Sequence, residues 1–205
     1  EIFLSDTDEV LVASSTFSND FPTTSNSYSQ TIFGAQDGVV FSLSSDLTSL
    51  NWSTYLGGTN DDAAYSIRTS PTDGNIYVCG GTRSTNLATT ANVLNPNYIG
   101  GSLDGYFASF DQTDGSLLNM SYMGTSSYDQ SFILEIDNLG FIYIAGQTLG
   151  NYPILNANYS VANSPQFIQK TNSSFSSSIY STTFGSGDLS NIDISITAFL
   201  VDTCE

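Results

Sequence analysis

An all-β fold of β-propeller type is predicted by three features: self-similarity with a period near 66 residues, four short alternating strand patterns in each period, and turn-forming residues between them. No window of about 11 or more residues carries the 3.6-residue periodicity of a helix. Segments Asp8 to Thr16, Gly74 to Thr82 and Gly140 to Thr148 match one another, and their closing threonines stand 66 residues apart. A second landmark, Asp37-Gly38-Val39-Val40-Phe41, returns 67 residues later as Asp104-Gly105-Tyr106-Phe107-Ala108, and more weakly as Ser164-Pro165-Gln166-Phe167-Ile168. A third, Tyr55-Leu56-Gly57-Gly58, is echoed by Tyr122-Met123-Gly124-Thr125 and by Thr183-Phe184-Gly185-Ser186, at spacings of 67 and 61. An all-β sandwich is the structural rival, but sandwich strands do not normally repeat in register.

Taken in order, the middle copy predicts a first strand over Ala64 to Thr69 and a tight turn at Pro71-Thr72-Asp73-Gly74, whose glycine suits positive φ. Asn75 to Gly80 follows as a second strand, with Ile76 and Val78 on one face and Tyr77 and Cys79 on the other. A long connection runs through Asn86 to Gly101. Gly105 to Asp111 is the third strand, Thr113-Asp114-Gly115 turns the chain, and Leu117 to Met123 is the fourth. Four antiparallel strands per period make a blade. The blades span about 1–62, 63–129 and 130–190, and Ile192 to Val201 in the stretch 191–205 reads as the first strand of a fourth. Small residues at Gly80, Gly81, Ala145 and Gly146 suit a strand crowded near the propeller axis. Propellers close with about 4 to 8 blades, so open sheet edges are expected, with the chain forming part of a larger propeller or being completed by other chains.

The run Trp52-Ser53-Thr54-Tyr55-Leu56-Gly57-Gly58-Thr59-Asn60-Asp61-Asp62, with Asp73-Gly74-Asn75-Ile76-Tyr77-Val78-Cys79-Gly80-Gly81-Thr82, resembles the bacterial seven-bladed β-propeller repeat family, abbreviated SBBP. Phe21-Pro22-Thr23-Thr24 and Asp104-Gly105-Tyr106-Phe107 resemble it too, so the likeness covers nearly the whole chain. It departs from the pattern at Ser14, at Ser164 and in Thr183-Phe184-Gly185-Ser186. The resemblance implies a large secreted or surface-anchored protein, of the kind that in the Bacteroidetes looks like cargo of the type IX secretion and gliding apparatus. It names no ligand.

Composition bounds the function. Three Lys and Arg stand against 20 Asp and Glu with no His, a net charge of -17. Such a balance argues against a nucleic-acid or anionic-membrane partner and leaves cations, neutral glycans or basic protein surfaces. Only 11% of residues are charged, so solubility rests on Ser, Thr, Asn and Gln, as in many secreted β-proteins. No apolar run approaches the ~18 to 20 residues of a membrane helix, and membrane insertion is not expected. The opening at Glu1, without Met or a basic segment, predicts a start that lies upstream or was cleaved. Cys79 and Cys204 match no zinc spacing; one disulfide between them and an inert buried thiol at Cys79 are both open readings.

Without His, a Ser-His-Asp triad and a His general base are excluded, and the serines lack a GxSxG elbow. Glu stands only at 1, 9, 135 and 205, and the sequence places no carboxylate pair for glycoside hydrolysis. No catalytic residue is assigned. The candidate ligand or cation loops carry Asp61, Asp62, Asp129 and Asp188, each after a glycine landmark and each in a link between blades, hence on one face of the disc. Oxygen-rich loops of this kind suit calcium. They equally suit turn capping, since no D-x-[DN]-x-[DN]-G pattern is present. Asp37 and Asp104, at matching third-strand starts, read as a repeated structural hydrogen bond. Tyr55, Tyr77, Tyr122 and Tyr143 recur with the period and, with Trp52, read as inter-blade packing. The expected function is a non-enzymatic extracellular or cell-surface module for scaffolding, adhesion or protein or glycan binding. A calcium-stabilised lectin-like propeller and a carbohydrate-active enzyme are the alternatives.

Overall fold

Turn chemistry sets where the strands stop. Gly74 and Gly115 adopt φ of 73° and 72°, in the left-handed region that a side chain resists, and each closes a tight connection between adjacent strands. The computed structural model describes residues 1–202, which hold twelve β-strands and no helix. These are β1 (Ile2–Leu4), β2 (Val10–Thr16), β3 (Asp37–Leu43), β4 (Leu50–Leu56), β5 (Asp62–Thr69), β6 (Ile76–Thr82), β7 (Asp104–Phe110), β8 (Leu117–Met123), β9 (Asp129–Ile136), β10 (Ile142–Thr148), β11 (Gln166–Thr171) and β12 (Ser178–Phe184). They form three four-stranded antiparallel sheets, β1 to β4, β5 to β8 and β9 to β12, in which each strand pairs with its neighbour in sequence. The fourth strand of the middle sheet has the bounds expected from the sequence. β5 begins two residues earlier than expected, at Asp62, and β6 runs on to Thr82.

The middle sheet is covered on both faces, which is why every residue of β6 and β7 is buried. Ile76 and Val78 face the first sheet, where they join Leu11, Ala13, Val40, Trp52 and Leu56. Tyr77 and Cys79 face the third, among Leu134, Ile142, Ile144 and Phe167. The period-2 alternation of β6 thus feeds two cores rather than a core and solvent. Each fully buried large apolar side chain here contributes about 1.5–3 kcal/mol. The strands that open successive sheets do the joining: β5 lies against β2 and β3, β9 against β6 and β7, and β5 and β9 also touch.

Each junction is locked by an aromatic side chain at its outer turn. Trp52 stacks on Phe110 at a centroid distance of 6.4 Å, and its Nε1–H donates to the Gln112 carbonyl across the junction at 2.9 Å. A Cβ on Gly115 would lie 2.3 Å from the indole, so the glycine makes room for Trp52 as well as for the turn. At the next junction Asn119 stands 67 residues after Trp52, and the opposite partner supplies the ring. Phe175, in the counterpart turn and at φ 57°, packs edge-on against Phe107 at 4.3 Å and is fully buried.

Arg68 is shared by all three sheets. Its guanidinium reaches Glu1 and Glu135, both at 2.7 Å; Arg68 and Glu135 hold equivalent register positions, opposite Tyr77 and Tyr143, whereas Glu1 stands just before β1.

Two expectations need correction. Gly80 and Gly146 are small because of their own sheets: an added Cβ would lie 2.0 Å from the Ala63 carbonyl and 2.2 Å from the Gln130 carbonyl respectively. Those carbonyls belong to the neighbouring first strands, which bulge opposite these glycines. In addition, Ile192 to Val201 forms no strand. Extended backbone becomes a strand only with a partner to pair with. This segment is held instead by Gln147 and Gln166, whose Nε2 groups donate to the Ile194 carbonyl at 3.2 and 2.8 Å. Cys204 lies outside the described residues, and Cys79 is a fully buried free thiol whose burial pushes its pKa far up.

Candidate functional site

Strand register brings carboxylates and hydroxyls to one end of every sheet. Thr16 pairs with Asp37; Asp62, Thr82 and Asp104 form a row across the middle sheet; Asp129 and Thr148 pair at the same end of the third. The third-strand aspartates hold the preceding loops. Asp37 accepts the N–H groups of Phe33 at 2.8 Å and Gly34 at 3.0 Å, and Asp104 those of Ile99 at 2.6 Å and Gly100 at 3.4 Å. Burial pushes both carboxyls up, against these hydrogen bonds and with help from a neighbouring aspartate; Asp104 reaches about 7. The second oxygen of Asp104 is buried without a partner.

The four loop aspartates have three different environments. Asp62 is buried at the start of β5 and accepts the Gly58 N–H and the Ser84 hydroxyl, each at 2.7 Å, together with the Thr82 hydroxyl. Asp129 is its counterpart in β9, accepting the Thr125 N–H at 2.6 Å and the Thr125 hydroxyl at 2.8 Å. Both carboxyls are raised, primarily by burial. Asp188 is exposed and caps its own turn by accepting from Ser190. The residue that takes the Asp62 role after the third sheet is Asp193, which accepts the N–H of Ser186, the residue following Gly185, at 2.8 Å. An Asp-x-Ser shared by Asp129-Gln130-Ser131 and Asp193-Ile194-Ser195 is the sequence signal for this correspondence. Asp61 alone of the four is an exposed carboxylate on the wall of a cleft.

That cleft, of about 400 Å³, opens where the three sheets converge. The first sheet contributes Gln36, just before β3; the middle sheet contributes Asp61, Tyr65 and Arg83; the third contributes Tyr128 and Gln130. Tyr65 is fixed from behind by Phe132, the rings stacking at 5.5 Å and 24°. The Tyr128 hydroxyl donates to Gln130 Oε1 at 2.5 Å, and Gln130 Nε2 donates to the Tyr65 hydroxyl at 3.0 Å. One amide carbonyl and one amide N–H serve two phenols, so one phenol proton remains unengaged whichever way the amide is turned. Burial raises the pKa of both tyrosines, which stay protonated at neutral pH.

Two charges of opposite sign line the rim. Arg68 and Lys170 are in ion pairs, whereas Arg83 is the one cationic side chain among the described residues without such a partner. Its backbone N–H donates to the Asp61 carbonyl at 3.0 Å, which holds the two residues side by side. Gln36 Nε2 donates to Ser15 Oγ at 2.8 Å, leaving its Oε1 as an acceptor. Sequence reasoning found Asp61 and missed Tyr65, Arg83, Tyr128 and Gln130. The 67-residue spacing of Tyr65 and Phe132 and the scarcity of cations are the signals that point to them.

Among the described residues, no group of three or more carboxylate or thiolate side chains is placed to hold a metal ion. Asp61, Asp62, Asp129 and Asp188 form no such group among the described residues. No protein-family model matches the chain, and no curated protein matches it.

Proposed function

We propose that this chain is a non-enzymatic extracellular or cell-surface binding module, its three sheets being blades of a β-propeller completed by further blades. The face that carries the cleft is where it meets a glycan or protein partner. The observation that carries this reading is the cleft itself: strand ends of three sheets build it, and the fold leaves one phenol proton, the Arg83 guanidinium, the Asp61 carboxylate and Gln36 Oε1 open on its wall. The stacking of sequential four-stranded meanders, with first strands touching, supports the propeller geometry. The acidic, neutral-polar surface favours neutral or basic partners.

The test is retention of the purified chain on insoluble polysaccharides and on immobilised surface proteins, with reducing-end release measured alongside. Retention on at least one support without bond cleavage is expected. Release of reducing ends would overturn the non-enzymatic reading, and absence of retention on every support would overturn the binding reading.

A further inference from the structure

The hydrogen-bonding inventory of the cleft identifies the chemistry of its ligand. An anion site presents donors and a cation site presents acceptors. This cleft presents both, interleaved: the free phenol proton of the Tyr65–Gln130–Tyr128 chain and the Arg83 guanidinium donate, while the Asp61 carboxylate and Gln36 Oε1 accept. Sugar hydroxyls donate and accept at once, so a ring of vicinal hydroxyls satisfies such a mixed wall, whereas a carboxylate or an ammonium leaves half of it unpaired.

Electrostatics selects further. Arg83 and Asp61 stand together on the rim without closing into an ion pair, so the local charges offset each other. The chain as a whole carries -17, a field that repels anionic ligands, while Arg83 opposes cationic ones at the cleft. A neutral ligand meets neither penalty. The remaining requirement of a saccharide site is a rigid aromatic surface for the C–H face of the sugar. Tyr65, stacked on Phe132 and hydrogen-bonded through its hydroxyl, is immobilised before any ligand arrives. The volume of about 400 Å³ falls in the ~300–1,000 Å³ range of small-molecule sites.

We infer that the cleft between Gln36, Asp61, Tyr65, Arg83, Tyr128 and Gln130 is a subsite for one neutral saccharide unit of a glycan. This inference rests on the binding-module reading and narrows its ligand class.

Ligand-observed NMR and calorimetry with a set of neutral disaccharides of gluco, manno and galacto configuration, and one hexuronate-containing disaccharide as control, test it on the full chain. At least one neutral disaccharide should saturate in the low-millimolar range. Arg83→Gln, at an exposed position, and Tyr65→Phe, which keeps the ring stack, should each weaken it about tenfold, the equivalent of one hydrogen bond at ~1.4 kcal/mol. Arg83→Gln should unfold at the wild-type urea midpoint and Tyr65→Phe, which loses the bond from Gln130, should fall below it by no more than the worth of that one hydrogen bond, so that both stay folded under the binding conditions. Should no neutral disaccharide saturate, or should affinity survive both substitutions, the inference fails. Tighter binding of the hexuronate control would overturn the neutral assignment and leave a binding module. Retention on immobilised protein alone, insensitive to Arg83→Gln, would likewise remove the saccharide subsite but not the binding module.

Discussion

Replacing Asp104 with Asn removes a pH dependence that the fold builds into its middle sheet. Asp104 is fully buried; one of its oxygens takes two backbone N–H groups and the other has no partner. Burial, reinforced by the charge of Asp129, raises its carboxyl to about 7. An unfolded Asp titrates near ~3.9, so the folded state binds this proton more tightly. The resulting stabilisation is complete below about pH 4 and is lost as pH rises through about 7. A difference of roughly 3 pH units at ~1.36 kcal/mol each sets a ceiling of about 4 kcal/mol, of which about 1 is already lost by pH ~4.5, and local relaxation brings the expected loss between pH ~4.5 and 8 to about 2 kcal/mol. Asp37, Asp62 and Asp129 are raised for the same primary reason and add to the slope. In Asp137 burial is outweighed by the Phe141 N–H and Lys170, so its carboxyl is lowered and acts in the opposite sense at more acidic pH. The neutral amide of Asp104→Asn retains an acceptor for the Ile99 and Gly100 N–H groups. Urea melts of both proteins across this range should show the variant losing about one proton's worth of slope. At pH 8 it should be more stable than wild type by about 2 kcal/mol, with near equality at pH 4.5. Parallel stability curves for the two proteins would refute the reasoning.

Three further outcomes follow from the packing. Trp52→Phe loses the bond to the Gln112 carbonyl and should cost about 0.5–1.5 kcal/mol in urea unfolding, whereas Trp52→Ala should cost about 3–5 kcal/mol by emptying the first junction. Gly146→Ala drives a methyl to 2.2 Å from the Gln130 carbonyl and 2.4 Å from the Phe167 ring; a loss of about 3 kcal/mol is expected, and an unchanged midpoint would contradict the bulge geometry. Cys79, packed between the middle and third sheets with its thiol pushed up by burial, should react with a thiol reagent at the rate of unfolding; immediate modification in the native state would show the junction to be open.

Much of the fold is legible residue by residue. Leu117 to Met123 has the strand bounds that alternation predicts, Gly74 and Gly115 have the positive φ their turns require, and the two faces of Ile76-Tyr77-Val78-Cys79 separate as period 2 demands. These features depend on neighbours within a few residues, where steric rules and side-chain direction act alone. The glycine pairs are legible as sites of close approach, but what approaches them is not. The bulges of β5 and β9 lie opposite Gly80 and Gly146 only once the strands pair.

The same division runs through the site. Repetition alone marks Asp37 and Asp104 as equivalent hydrogen-bond acceptors, and turn chemistry alone marks Asp188 as a cap. Whether Asp61 and Asp62, adjacent in sequence, lie inside or outside was decided by the pleat, which turns one carboxylate into the row with Thr82 and Asp104 and leaves the other on the cleft rim. The cleft draws Gln36, Tyr65 and Tyr128 from three different sheets, residues separated by 29 and 63 positions. The sequence by itself determined the all-β meander, its period and its turns, because those arise from local backbone sterics and apolar alternation. Only the tertiary structure decided which polar groups the fold engages and which it leaves open, because that depends on how the three sheets meet.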